Sequence, residues 1–274
     1  MRIGGAGAGQ VARRASRRRD RITGATHGDD AGTRLVRRLR VGPEFVRLDE
    51  RRRNEAVTSV TIASDTTEAL SSCAIGQMLD LYAAHPPDVF RTPAITHAEA
   101  AGYAECGFEI ISVLRLLTHD LERLRELPRA AVSTDRTRMS RIGACVDVDQ
   151  RAFGADQCFD RLDLLAALDA TSRSRLRVVT TPGRGVARAD LAGFAITGRA
   201  GTRGYLQRVA VDPARAGRGL GTALVVDALR WCRARGVAKV VVNTGTDNHR
   251  ALALYRRLGF IDTPLDLLLM ERRG

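Results

Sequence analysis

Three glycines at alternate positions, Gly217, Gly219 and Gly221, stand between an apolar run and a helix-forming run. The run before them, Leu206 to Val211, is apolar and β-branched enough for a largely buried strand. Asp212-Pro213 ends it, because proline has no N–H to give a ladder. The run after them, from about Thr222 to Arg235, places Leu224, Val225, Ala228, Leu229 and Cys232 on one helical stripe, and Gly236 caps it. Strand, turn and helix start make an anion seat. Glycine lets the backbone approach a ligand and take positive φ without strain. The first N–H groups of a helix have no partner within it, and the dipole behind them favours negative charge. Arg215 and Arg218 add mobile positive charge at the rim. The stretch therefore predicts a cradle for a pyrophosphate. Glycines in such a turn also serve where they only permit close packing, and the loop by itself leaves that alternative open.

Two nucleotide folds are excluded. No Lys-Ser/Thr follows the glycines, so this is not a Walker loop. A dinucleotide fold needs an acidic residue closing a second strand about 20 residues on, whereas the next strand, Lys239 to Val242, ends in Asn243-Thr244.

After that strand comes Asn248-His249-Arg250-Ala251-Leu252-Ala253-Leu254-Tyr255-Arg256-Arg257-Leu258-Gly259-Phe260, a helix with Asn248 as N-cap and Gly259 at its end. Val-Ala-Val-Asp-Pro, then Gly-x-Gly-x-Gly, then Asn-x-x-Ala-x-x-Leu-Tyr-x-x-x-Gly-Phe resembles the GNAT superfamily of acyl-CoA-dependent N-acyltransferases. The resemblance covers about Ser140 to Gly274. It implies an α/β GNAT fold, with a mixed, mostly antiparallel central sheet flanked by helices. It implies acetyl-CoA as donor, a primary amine as acceptor, direct attack in a ternary complex, and no metal. The main chain at Val209, Ala210 and Val211 would pair with the pantetheine amides as an added strand does. The pyrophosphate would sit on Gly217, Arg218, Gly219, Gly221 and Thr222, with Arg215 at the rim. Asn248 would lie near the pantetheine arm, or serve only as the helix cap. Tyr255 would stand beside the sulfur. A phenol with pKa of about 10 keeps its proton at neutral pH and can give it to a leaving thiolate, so Tyr255 is the general-acid candidate. One departure from the family pattern is Ala216, where an Arg or Gln usually begins the phosphate loop. No general base is evident: no acid lies between Asp190 and Asp212, which leaves Asp147, Asp149 or a chain of waters. His249 sits early on a helix and is expected to be exposed.

The elements that must position these residues form an α/β series in residues 141–274. Strands are expected at Ile142–Val148, Arg175–Thr180 and Ala192–Gly198, with a turn at Gly183-Arg184-Gly185. A short helix is expected from Gln150 to Phe153 and a longer one over Cys158–Leu168. Ile261 to Met270 is a final strand or strand pair.

Upstream, residues 1–40 are rich in Gly, Ala and Arg, including Arg13-Arg14 and Arg17-Arg18-Arg19. They hold too little apolar surface to offset ordering entropy and are expected to be a disordered tail. They also lack the apolar core of a secretory signal. Residues 41–127 form a more structured region, with a strand at Val57–Ala63, helices at Glu68–Ala84 and Thr96–Glu105, and a strand over Gly107–Leu117. Ala100-x-x-Tyr103-x-x-x-Gly107-Phe108 echoes Ala251-x-x-x-Tyr255-x-x-x-Gly259-Phe260, and an apolar run follows each Gly-Phe. This resembles part of a degenerate GNAT repeat without a glycine-rich loop, so it offers CoA no seat. The charged run Leu121–Leu127 breaks at Pro128, and residues 128–140 read as a linker.

Composition bounds the partners. The chain has 274 residues, net charge +13, and 44 Lys and Arg in all, of which Lys239 is the single lysine. Aromatics at 4% argue against base-stacking platforms. The arginine excess keeps an Arg-rich nucleic-acid-associated protein as one alternative function, beside a non-catalytic acyl-CoA-binding regulatory module. The cysteines Cys73, Cys106, Cys145, Cys158 and Cys232 are odd in number and scattered, which fits a reducing cytoplasm and no zinc site. No apolar run approaches the roughly 20 residues that span a bilayer. Monomer and homodimer both remain open.

Overall fold

The computed structural model describes residues 33–53, 56–122, 130, 132–137, 139–182 and 189–274. The chain divides into two compact units. The first holds the described residues up to Pro93, together with Ala101–Phe108 and Glu271–Gly274; the second holds Ala94–Ala100 and Glu109–Met270. The sequence placed the division at 128–140, yet the strand Glu109–Asp120, upstream of that linker, is part of the second unit. Most of the Leu121–Leu127 run, Pro128 and the 183–185 turn lie outside the described residues.

The first unit opens with an antiparallel meander, β1 (Thr33–Val41), β2 (Glu44–Arg53) and β3 (Ala56–Ser64). The expected tail over 1–40 is thus corrected at its end, since 33–40 form most of β1; residues 1–32 lie outside the described residues. The arginines that made this segment look like tail are answered across the ladder. Arg34 pairs with Asp49, and Arg37 with Glu50. Helix α1 (Ser72–Asp80) follows, then β4 (Val89–Arg91), parallel to β3, and α2 (His97–Glu105). The last strand residues of the chain, Glu271–Arg273, pair antiparallel with β4. Ser71 caps α1, and the Glu44 carboxylate accepts both the Ser71 backbone N–H at 2.8 Å and its hydroxyl at 2.6 Å.

In the second unit, β5 (Glu109–Asp120) and β6 (Asp135–Arg136) precede α3 (Ile142–Gln157) and α4 (Arg161–Asp169). Then come β7 (Arg173–Pro182), β8 (Ala189–Ala200), β9 (Arg203–Val211), α5 (Leu220–Arg233), β10 (Lys239–Gly245), α6 (His249–Arg257) and β11 (Ile261–Arg273). The sheet order is β11-β5-β10-β9-β8-β7-β6. Strands β9 and β10 run parallel; β5–β10, β8–β9, β7–β8 and β6–β7 run antiparallel. The expected mixed, mostly antiparallel sheet is present. Alternating residues send the sheet's two faces to different helices. Val178, Phe194, Ile196 and Ala210 pack with residues of α3 and α4. Val179, Ala195, Val209 and Val211 pack with α5, and α6 joins that side through Leu252 and Tyr255.

One expected element is corrected. Ile142–Val148 alternates apolar and small residues as a strand would, but it is the start of α3. As a helix it buries Ile142, Cys145 and Val148 in one i, i+3 row. The expected short helix at Gln150–Phe153 is the same helix continuing, broken only at Gly154 (φ 72°).

The chain order strand-strand-strand-helix-strand-helix-strand over 33–120 recurs over 173–273. The echoed motifs behave alike within their units. Phe108 N–H bonds Tyr103 O at 3.1 Å, and Phe260 N–H bonds Tyr255 O at 3.0 Å. Gly107 and Gly259 both take positive φ, 80° and 92°. Tyr103 and Phe108 rings lie 5.3 Å apart, and Tyr255 and Phe260 rings 5.5 Å apart. The hydroxyls differ: that of Tyr103 donates to the Ile62 carbonyl of β3 at 2.9 Å.

The first unit is held by a buried carboxylate. Glu50 is fully buried on β2. It accepts the Tyr82 hydroxyl at 2.6 Å, Arg52 Nη2 at 2.6 Å and Arg37 Nη1 at 3.3 Å. Burial pulls its pKa up, but these hydrogen bonds outweigh burial and leave it below the usual carboxylate value. The stabilisation is therefore present above the unfolded pKa and lost as pH falls through the folded one. Tyr82→Phe should lower stability by about 1.5–3 kcal/mol. It should also move acid unfolding to higher pH, as read by circular dichroism melts between neutral pH and pH 3.

Candidate active site

Strands β9 and β10 pair only at Arg203–Lys239, Gly204–Val240 and Tyr205–Val241. Beyond that point each follows a different neighbour. β9 stays on β8 up to Val211, and β10 stays on β5 from Val242 to Gly245. The strands part, and the edge of Leu206–Val211 that faces away from β8 has no ladder partner on β10. The parting coincides with a register shift in which Arg208 stands opposite Ile196 and Leu206 opposite Thr197, so Gln207 is the extra residue. A bulge of this kind bends and twists the strand that carries it. Val209, Ala210 and Val211 all lie on the unpaired length, which can accept an extended ligand with amide groups as it would accept another strand.

The glycine loop follows directly. Asp212 accepts the Ala214 N–H at 3.0 Å and opens a short turn over Pro213–Arg215. Gly217 and Gly219 hold φ of 80° and 76°, and a Cβ on either would meet no atom within 4 Å. Their requirement is conformational, and the space around them is open. Gly221 is different: a Cβ there would come within 3.2 Å of Leu254 Cδ2. It lets α5 lie close to α6, so the packing role of glycine applies at this one position. Gly219 caps α5 without a side-chain bond, and the first helical bond is Ala223 N–H to Gly219 O at 2.9 Å. The N–H groups of Leu220, Gly221 and Thr222 precede that bond and have no hydrogen-bond acceptor among the described residues. They form a ready anion seat at the start of a 14-residue helix.

The cations around the seat are arranged differently from the sequence expectation. Arg218 is exposed. Arg215 is engaged, with Nη1 on Thr181 Oγ1 at 2.9 Å and Nη2 3.4 Å from Asp190. A cation absent from that expectation is Arg257. From the last turn of α6 its Nη2 donates to Thr222 Oγ1 at 3.2 Å. It stands at the first turn of α5, close to the N–H groups of Leu220, Gly221 and Thr222. The spacing of two consecutive helix-end arginines, Arg256-Arg257, carried no signal, because Arg256 pairs with Asp262 and only the fold separates their roles.

Tyr255 is 5% exposed on α6. Burial pushes its phenol up to about 12, against a smaller opposing effect of the Arg208 charge. Its hydroxyl has no hydrogen-bond partner among the described residues. Asn248 caps α6 by accepting the Ala251 N–H at 3.1 Å, which leaves its amide nitrogen for a ligand.

The candidate bases fare unequally. Asp149 is fully buried and consumed: it takes Arg208 Nε at 2.8 Å, Arg208 Nη2 at 2.6 Å and the Phe159 N–H at 2.6 Å. Asp147 is exposed on α3, and His249 is exposed at the start of α6. His119, on β5, is fully buried, and its Nε2 lies 3.1 Å from the Leu258 carbonyl. Burial lowers its pKa, so it stays neutral, and it pairs with Val240 in the closed part of the ladder rather than beside the parted strands. Because Asp149 neutralises a largely buried guanidinium, Asp149→Ala should cost about 3–5 kcal/mol, seen as a large fall in Tm, while Asp147→Ala should change Tm little.

Residues 156–260 match the model of the acetyltransferase (GNAT) family. No curated protein matches the chain in sequence. Among solved structures, a tandem GNAT protein from the clavulanic acid biosynthesis pathway, without AcCoA, is similar over 90% of this chain and 84% of its own. Its TM-score is 0.61 at 15% identity. A GCN5-related N-acetyltransferase from Sphaerobacter thermophilus is similar over 86% of this chain and 82% of its own, with TM-score 0.54 at 16% identity. At such identities the two structures establish the fold.

Proposed function

We propose that this chain, whose residues 156–260 match the model of the GNAT acetyltransferase family, moves an acetyl group from acetyl-CoA to a primary amine by direct attack in a ternary complex. The observation that carries this is the parting of β9 from β10 beside an uncapped glycine-led helix start. The pantetheine arm adds to the unpaired edge of Val209–Val211, with the Asn248 amide beside it. The pyrophosphate lies on the N–H groups from Gly217 to Thr222, with Arg218 and Arg257 as counter-charges. The amine nitrogen attacks the thioester carbonyl, the C–N bond forms and the C–S bond breaks. The amine's proton leaves to water, and the thiolate takes the Tyr255 proton.

Tyr255 is suited to that last step despite a phenol at about 12. Burial raises a thiol as it raises a phenol. In the same unit it lifts Cys145 to about 12 and Cys232 to about 11. A thiolate leaving beside the buried Tyr255 is likewise more basic than it is in water, which favours its taking the phenol's proton. The same shift keeps Tyr255 protonated across the working range.

Two variants test the assignment in the full-length protein. Tyr255→Phe should lower kcat for thiol release by about 10²-fold or more and leave the acetyl-CoA KM nearly unchanged, because only the leaving-group step loses its acid. The wild-type rate should show no alkaline fall from phenol ionisation below about pH 10. An unchanged kcat in this variant would remove Tyr255 from the mechanism. Gly219→Glu places a carboxylate and a strained positive φ in the anion seat. Calorimetry should find acetyl-CoA binding abolished with the fold intact; retained affinity would move the phosphate site elsewhere.

A further inference from the structure

On the parted length of β9, Val209 and Val211 face α5 while Ala210 faces α3 and α4. Arg208 shares the face of Ala210 and reaches α3. Its guanidinium is fixed by Asp149 through Nε and Nη2, by the Gln157 carbonyl 2.8 Å from Nη2, and by the Phe153 and Phe159 rings, whose centroids lie 3.6 and 3.9 Å from Cζ. Among the described residues, Nη1 alone of its nitrogens has no partner. The side chain keeps 13% of its surface exposed. Arg208 lies on the parted length of β9 itself, directly before Val209, the first of the edge residues assigned above to the pantetheine arm.

This arrangement has a chemical consequence for the acceptor. Asp149 cancels the charge that would otherwise repel an incoming amine, and the aromatic sandwich holds the guanidinium without further ordering cost. The N–H groups of Nη1 remain as charge-assisted donors. Three carboxylates on or beside β9 are already engaged: Asp149 by Arg208, Asp212 by Arg151, and Asp190 by Arg215. Resting on the acetyl-transfer reading above, we propose that the acceptor is an amine bearing a carboxylate close by, as amino acids do. Arg208 Nη1 holds that carboxylate while the amine meets the thioester, and Arg208 is thus the specificity-determining residue.

The test measures thiol release from saturating acetyl-CoA by the full-length protein. The acceptors are the individual amino acids, their carboxamides and the corresponding decarboxylated amines. The acids should exceed the carboxamides at least tenfold in kcat/KM, and the decarboxylated amines should be poorer still. Arg208→Lys keeps a cation for Asp149 but loses the free nitrogen; it should raise the KM for the acid at least tenfold with the KM for acetyl-CoA within about twofold. The double variant Arg208→Gln with Asp149→Asn removes the buried charges together. It should show the same loss of preference for the acid with its Tm retained, which separates recognition from folding. The proposal is overturned if decarboxylated amines serve as well as the acids, if another amine class drives release and no amino acid does, or if Arg208→Lys leaves the ranking unchanged. Absence of acetyl-CoA binding by calorimetry would overturn the acetyl-transfer reading and this one with it.

Discussion

The site depends on one constraint: β9 cannot follow β8 and β10 at the same time. Three residue pairs join β9 to β10, and then the bulge at Gln207 turns β9 along β8 while β10 stays registered on β5. Six residues of β9 are left with one edge unpaired. In a sheet that is otherwise zipped, such an edge is a standing demand for hydrogen bonds. The helix that follows adds a second demand of the same kind, three N–H groups at a positive dipole end with no side-chain cap. A ligand that is extended and amide-bearing at one end and anionic at the other meets both.

The first unit shows what the same order of elements does when these demands are met internally. β3 stays paired with β4 up to Thr61, so only Ile62–Ser64 remain beyond the pairing. The Tyr103 hydroxyl donates to the Ile62 carbonyl. The segment before α1 has no glycine, Ser71 caps the helix, and the Glu44 carboxylate sits on the Ser71 N–H, where an anion would sit. One edge carbonyl, the tyrosine hydroxyl and two N–H groups at the helix start find their partners within the unit. On the same order of elements, the two units differ in the length of the unpaired edge, in the glycines before the helix and in a few polar partners.

Much of this was legible in the sequence, for reasons that differ by residue. The glycine loop, the Leu206–Val211 strand and the Asn248–Gly259 helix could be read because each depends on local chemistry: positive φ, a proline stop, a side-chain cap. The repeat could be read from Tyr103-Gly107-Phe108 because the Gly-ended helix and its aromatic pair form within a few residues. What could not be read depends on partners far along the chain. The strand Thr33–Val41 looks like a polar tail until Asp49 and Glu50 lie across from its arginines. Ile142–Val148 alternates like a strand until its i, i+3 row meets β7 and β8. The place of Arg257 beside Thr222 requires α5 and α6 to be packed together. The engagement of Asp149 requires α3 against β9, and with it a candidate base becomes the anchor of an arginine.

The central claim is that one half of the repeated element order keeps an open donor cleft and the other has sealed its own. Calorimetric titration of the full-length protein with acetyl-CoA measures this directly through the stoichiometry. The account predicts one site per chain. Two sites, or none in a protein shown to be folded, would contradict it.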